Sequence, residues 1–93
     1  MARNAARLVI RGRVQGVGYR WWAVSCARDL GLVGWVRNCE DGTVEARAIG
    51  PPDAIAAFAH ACEAGPRHAL VEAVAVSPAS DDGSGAFEQL ETD

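Results

Sequence analysis

Asp41-Gly42 stands between two strand-like runs, residues 33–39 and 43–49. Asp-Gly supplies the positive φ values of a tight turn, so the spacing predicts that these runs pair as a hairpin centred on Glu40-Asp41-Gly42. A helical pattern flanks the hairpin on each side. From Trp21 onward, Ala23, Cys26, Ala27 and Leu30 recur at i, i+3, i+4 and i+7, and Gly31 supplies a stop. After the hairpin, Gly50-Pro51-Pro52-Asp53 opens a second helix. Its apolar stripe is Ile55, Phe58, Ala59 and Cys62, and Gly65-Pro66 ends it. Leu8 and Ile10 alternate with Arg7, Val9 and Arg11 in a strand ending near Arg13, and residues 70–76 read as another strand. The order is β-α-β-β-α-β, with residues 87–90 as a short additional strand. The expected product is an α+β, ferredoxin-like sandwich: an antiparallel sheet with two helices on one face. In that topology the first two strands do not pair, because the third lies between them.

The 93 residues fit a single domain spanning 1–93. No apolar run approaches the roughly 20 residues that span a bilayer, and Leu8-Val9-Ile10 is too short for a secretory core. The expectation is a cytoplasmic monomer with no membrane partner. Cys26, Cys39 and Cys62 are odd in number and never in C-x-x-C spacing, so reduced thiols are expected; a Cys26–Cys39 bridge stays open. His60 and His68 lack an acid cluster, so no metal is expected. Charge is unevenly placed. Before Asp29 every charged residue is arginine, and after Ser80 every one is acidic. This describes either two solvated edges or a positive field presented to an anion. The net charge of −3 argues against nucleic acid.

Between the first strand and first helix lies Gly12-Arg13-Val14-Gln15-Gly16-Val17-Gly18-Tyr19-Arg20. Glycines let a ligand approach the backbone, a helix N-terminus favours an anion, and Arg20 adds a guanidinium fork. The chain has no lysine, which excludes a Walker A loop, and Trp21 occupies the position where a dinucleotide fingerprint needs its third glycine. From composition alone, the stretch is either an anion loop or a flexible connection with a surface arginine. Asn38 is likewise either a functional carboxamide or a residue that bends the strand before its turn. Trp21 and Trp22 read as core or half-buried rim residues that could touch a ligand beside the loop; Trp35 reads as core or sheet-face packing.

The 12–20 stretch resembles the first signature of the acylphosphatase family, and Gly34-Trp35-Val36-Arg37-Asn38-Cys39-Glu40-Asp41-Gly42-Thr43-Val44-Glu45 resembles the second. Ala27-Arg28-Asp29-Leu30-Gly31-Leu32, Gly50-Pro51-Pro52 and Gly65-Pro66-Arg67-His68-Ala69-Leu70-Val71 fit as further landmarks, so the similarity runs from about Leu8 to Leu90. Tyr19 stands where phenylalanine is common. The C-terminal residues 87–92 depart from the aromatic ending of some members, so no role in steadying the arginine is carried over. The resemblance implies that the amides of Gln15, Gly16, Val17, Gly18, Tyr19 and Arg20, with the Arg20 guanidinium, bind a substrate phosphate. It implies that Asn38 holds the attacking water. The implied reaction is hydrolysis of a small-molecule acyl phosphate to a carboxylate and inorganic phosphate, without metal or cofactor. Two other classes compete: a non-enzymatic module binding an anion such as carbamoyl phosphate, and a single-stranded RNA binder on the sheet face.

Overall fold

The computed structural model describes residues 3–92. Its elements are β1 (Asn4–Arg13), α1 (Tyr19–Asp29), β2 (Val33–Asn38), β3 (Val44–Gly50), α2 (Pro52–Ala64), β4 (Leu70–Pro78) and β5 (Phe87–Gln89). The strand order is β4-β1-β3-β2-β5. The first four strands pair antiparallel, with β3 between β1 and β2, as the βαββαβ order requires. The short fifth strand adds one pairing the sequence did not specify: β5 runs parallel to β2. The mixed edge arises because residues 79–86 leave β4 at one edge and cross the open face of the sheet to the other. Asp81 takes a bidentate pair of hydrogen bonds from Arg3 on the way, each 2.8 Å, and Asp82 accepts one from the Trp35 indole at 3.1 Å. The basic N-terminal region and acidic C-terminal region therefore meet across this face.

Strand alternation sorts the side chains. Ala6, Leu8 and Ile10 of β1, Val36 of β2, and Val44, Ala46 and Ala48 of β3 point toward the helices and are buried. Ala23 and Ala27 of α1 and Phe58 and Cys62 of α2 close over them. Each large aliphatic side chain so buried contributes about 1.5–3 kcal/mol. Phe87 enters this core from β5 and meets Phe58 edge-on, with ring centroids 5.7 Å apart, which is what anchors so short a strand. Helix α1 starts two residues before the position its apolar period predicts. Gly18 adopts a left-handed conformation as N-cap, and the Trp22 N–H reaches the Gly18 carbonyl at 3.0 Å. Its end follows the expected stop at Gly31: the Gly31 N–H bonds the Arg28 carbonyl and the Leu32 N–H the Ala27 carbonyl, a Schellman closure.

The other face carries Arg7, Arg37, Arg47, Trp35 and the nearly buried Glu45. Trp35 packs on this face, as one of its two readings has it, with the Arg37 and Arg47 guanidinium carbons 5.1 and 5.7 Å from its ring. Glu45 accepts from Arg7 at 2.6 Å and from Arg37 at 2.9 and 2.7 Å. Burial alone raises its pKa; the two arginines outweigh that and hold the carboxyl below its ordinary value. A depressed folded pKa contributes stability above the unfolded carboxylate value, about 4.3, that is lost as pH falls through the folded value. Glu45→Gln is therefore expected to cost about 1.5–3 kcal/mol at pH 7, the range for hydrogen bonds to charged groups. It should also flatten the acid limb in urea unfolding measured from pH 7 to pH 3. An acid limb unchanged by the substitution would contradict this assignment.

Candidate active site

The loop between β1 and α1 is shaped by Gly16 and Gly18, at φ 73° and 78°. A Cβ at either position would meet no atom within 4 Å, so the backbone is bare and the space above it open. A side chain would be disfavoured there by conformation rather than by a clash. Helix α1 begins at this loop with no side-chain cap and no acidic residue in its first turn. Its first amides therefore keep their hydrogen-bonding capacity, and the positive end of the helix dipole is not neutralised locally.

The residues expected at the site fall into three roles. Gln15 uses its side chain structurally: Nε2 donates to the Cys39 carbonyl at 2.7 Å and the Thr43 carbonyl at 2.9 Å. Both acceptors lie on the β2–β3 turn, so Gln15 ties the glycine loop to the residue that follows Asn38. Val17 is half-buried against the core, and Tyr19 is fully buried. The Tyr19 hydroxyl donates to the Cys62 carbonyl at 2.7 Å, and burial pushes its pKa far above the ordinary phenol value. Tyr19 borders the cleft described next with its hydroxyl spent in the core, whereas Gln15 and Val17 are not among that cleft's lining residues. Gly16, Gly18, Arg20 and Asn38 line one small cleft of about 120 Å³, together with Trp21 and Gln89. The structure thus brings the end of β2 to the glycine loop even though β3 separates β2 from β1.

Arg20 is half-buried, and its Nη1 donates to the Leu90 carbonyl at 2.8 Å. Leu90 is itself fixed by its N–H on the Val36 carbonyl, also at 2.8 Å. The C-terminal segment does hold the arginine, by a main-chain oxygen rather than by an aromatic side chain. Asn38 closes β2, and its Oδ1 is buried with no hydrogen-bond partner. Buried acceptors with no protein partner are few in native structures.

Other candidates separate from the cleft. Trp21 is exposed, contrary to its expected burial, whereas Trp22 is half-buried and packs edge-on against Tyr19. His60 lies exposed on α2 beside Glu63, and among the described residues no group of three His, Cys, Asp or Glu side chains could hold a metal. The three cysteines are unpaired. Burial pushes the Cys62 thiol up to about 12 and also raises Cys26, so neither is an activated nucleophile. A larger hollow on the open sheet face is lined by Arg7, Arg11 and Arg37 but equally by Glu40, Asp41 and Glu45, so its formal charges cancel. Sequence reasoning missed the Leu90 carbonyl, because a main-chain contact leaves no side-chain signature. It also missed the Gln15 side chain, whose polar character beside a glycine loop was the available signal.

Comparison with known proteins narrows the reading. A family model described as Acylphosphatase matches residues 6–89. An acylphosphatase of Nitrobacter hamburgensis is 53% identical over 72 residues, which cover 77% of this chain and 73% of that protein. The crystal structure of acylphosphatase from Bacillus subtilis aligns with a TM-score of 0.90 at 35% identity, covering 94% of this chain and 98% of that one. An acylphosphatase structure from Coxiella burnetii aligns at 0.91 with 29% identity, covering 96% and 94%. The family model takes in both the glycine loop and the strand that ends in Asn38; this chain belongs to the acylphosphatase family.

Proposed function

We propose that this acylphosphatase hydrolyses its acyl phosphate by positioning and charge stabilisation alone, with Arg20 and the loop amides on the phosphate and Asn38 on the water. The observation that carries the reading is the convergence on one cleft of three groups with hydrogen-bonding capacity left over. They are the uncapped N-terminus of α1, the Arg20 guanidinium, and a carboxamide with an unmet acceptor.

The amides of residues 15–20 and the Arg20 fork take the phosphate oxygens. A turn of the Asn38 carboxamide about χ2 presents its oxygen to the cleft, where it accepts a hydrogen bond from water and aims the lone pair at phosphorus. The water oxygen forms the new bond to phosphorus, and the bond to the acyl oxygen breaks with its electron pair on the carboxylate. One water proton passes to a phosphate oxygen, so the dianion and water give a carboxylate and dihydrogen phosphate. A carboxylate is a weak base and leaves without a protein acid. Phosphoryl transfer of this kind asks for little covalent work from the protein, which is why neither a metal nor a nucleophilic side chain is needed. Gln15 keeps the two halves of the site in register by joining the loop to the turn beside Asn38.

The substrate is a small molecule, and the unpaired thiols fit a reducing, cytoplasmic setting. An RNA role on the sheet face is disfavoured: the Trp35 ring is already flanked by two arginines and its indole N–H is spent on Asp82. Purified protein should release phosphate from acetyl phosphate and benzoyl phosphate in the presence of EDTA, and leave simple phosphate monoesters intact. Stoichiometric phosphate binding without turnover would favour a binding module instead.

A further inference from the structure

Trp21 is 75% exposed, the largest apolar side chain so displayed among the described residues. Its neighbours on the first turn of α1 do the opposite: Tyr19 is buried, and Trp22 packs on it with ring centroids 5.3 Å apart. An indole left in water at the mouth of a polar cleft forgoes burial that its two aromatic neighbours obtain, and tryptophan in such positions is typical of recognition surfaces.

The surroundings say what it would recognise. Trp21 and Gln89 line the phosphate cleft, and the same two residues line an adjoining groove of about 390 Å³ between α1 and β5. Val24 and Ser25 continue that groove along α1, and Arg28 and Asp29 stand at its end. Arg28 is committed, donating from Nε and Nη2 to the Phe87 carbonyl at 3.2 and 3.0 Å, and Asp29 offsets its charge. The groove therefore has an aromatic wall, an aliphatic residue and no net formal charge. Its two charged residues, Arg28 and Asp29, are of opposite sign, so neither charge sets the field of the groove alone.

We propose that this groove seats the acyl group of the substrate and that Trp21 is its specificity-determining residue, selecting acyl phosphates with flat, apolar tails over acetyl phosphate. The proposal rests on the phosphate assignment given above. With the phosphate in the cleft, the acyl carbon lies one oxygen away from phosphorus. Trp21 and Gln89 line both the cleft and the groove, so a longer tail passing between them has a surface to lie on, and a two-carbon acyl group has the least to place there. Stacking of a flat ring on an aromatic side chain favours binding and can set a preference without touching the chemical step.

The test compares benzoyl phosphate with acetyl phosphate on the wild type, Trp21→Ala and Trp21→Phe, with inorganic phosphate as inhibitor in each. Trp21→Ala is expected to lose about tenfold in kcat/KM for benzoyl phosphate, mainly through KM. Its loss for acetyl phosphate should be several-fold smaller, so the benzoyl-to-acetyl ratio of kcat/KM falls, and inhibition by phosphate should weaken less than binding of benzoyl phosphate does. Trp21→Phe should keep most of the benzoyl preference. Equal losses on both substrates, or an unchanged ratio in Trp21→Ala, would overturn the acyl-seat assignment while leaving the phosphate site standing. A wild type that hydrolyses neither substrate would instead remove the phosphate reading, and this inference with it.

Discussion

Replacing Arg20 by alanine is expected to lower kcat/KM for benzoyl phosphate at least about a hundredfold and to weaken inhibition by inorganic phosphate. The magnitude is that of removing one preorganised donor from a developing oxyanion. The expectation is specific to the guanidinium. Its Nη1 is already held by the Leu90 carbonyl at 2.8 Å, which fixes the plane of the fork and leaves its other N–H groups to meet phosphate oxygens. Arg20→Lys should recover little, because an ammonium carries the charge but cannot hold the Leu90 oxygen and a pair of phosphate oxygens in one rigid geometry. A lysine variant within a few-fold of wild type would show that net charge suffices and that the tether to the C-terminal segment is incidental.

Asn38→Ala is expected to lose a comparable factor in kcat, at least about a hundredfold, yet leave the inhibition constant for phosphate nearly unchanged. The reason is the division of labour: the loop and Arg20 hold the anion, whereas the carboxamide aims the nucleophile. Stability should not follow the loss of activity. The Asn38 Oδ1 has no protein hydrogen-bond partner, so its removal breaks no protein–protein hydrogen bond of that oxygen and should leave the denaturation midpoint nearly unchanged. Lost activity with retained stability and retained phosphate binding distinguishes a functional asparagine from one that merely ends a strand. If Asn38→Ala hydrolyses acyl phosphate at the wild-type rate, the water-positioning role is wrong.

The main architecture was legible because it is written in side-chain periodicity. Leu8 and Ile10 alternate into the core, Ala23 and Ala27 recur at helical spacing, and Asp41-Gly42 marks the turn. The parallel pairing of β5 was not legible. That strand has three residues and one buried side chain, Phe87, too short for a period, and its place is decided by where residues 79–86 cross the sheet. The site followed the same division. Gly16, Gly18, Arg20 and Asn38 were marked by residue type and by the two family signatures. The Leu90 carbonyl on Arg20 and the Gln15 bridge to Cys39 and Thr43 depend on main-chain acceptors, which every residue has and none advertises. Trp21 misled because a large apolar residue reads as core or rim, yet it stands two positions from the buried Tyr19, which on a helix is nearly the opposite side, and so lies exposed beside the cleft.

The measurement closest to the central claim is a crystal structure of the wild-type protein soaked with inorganic phosphate. The account predicts phosphate in the cleft between the 15–20 amides and the Arg20 fork, with the Asn38 oxygen turned toward a water beside the anion. Phosphate seated elsewhere, for instance among Arg7, Arg11 and Arg37 on the open sheet face, with the cleft left to solvent, would contradict it.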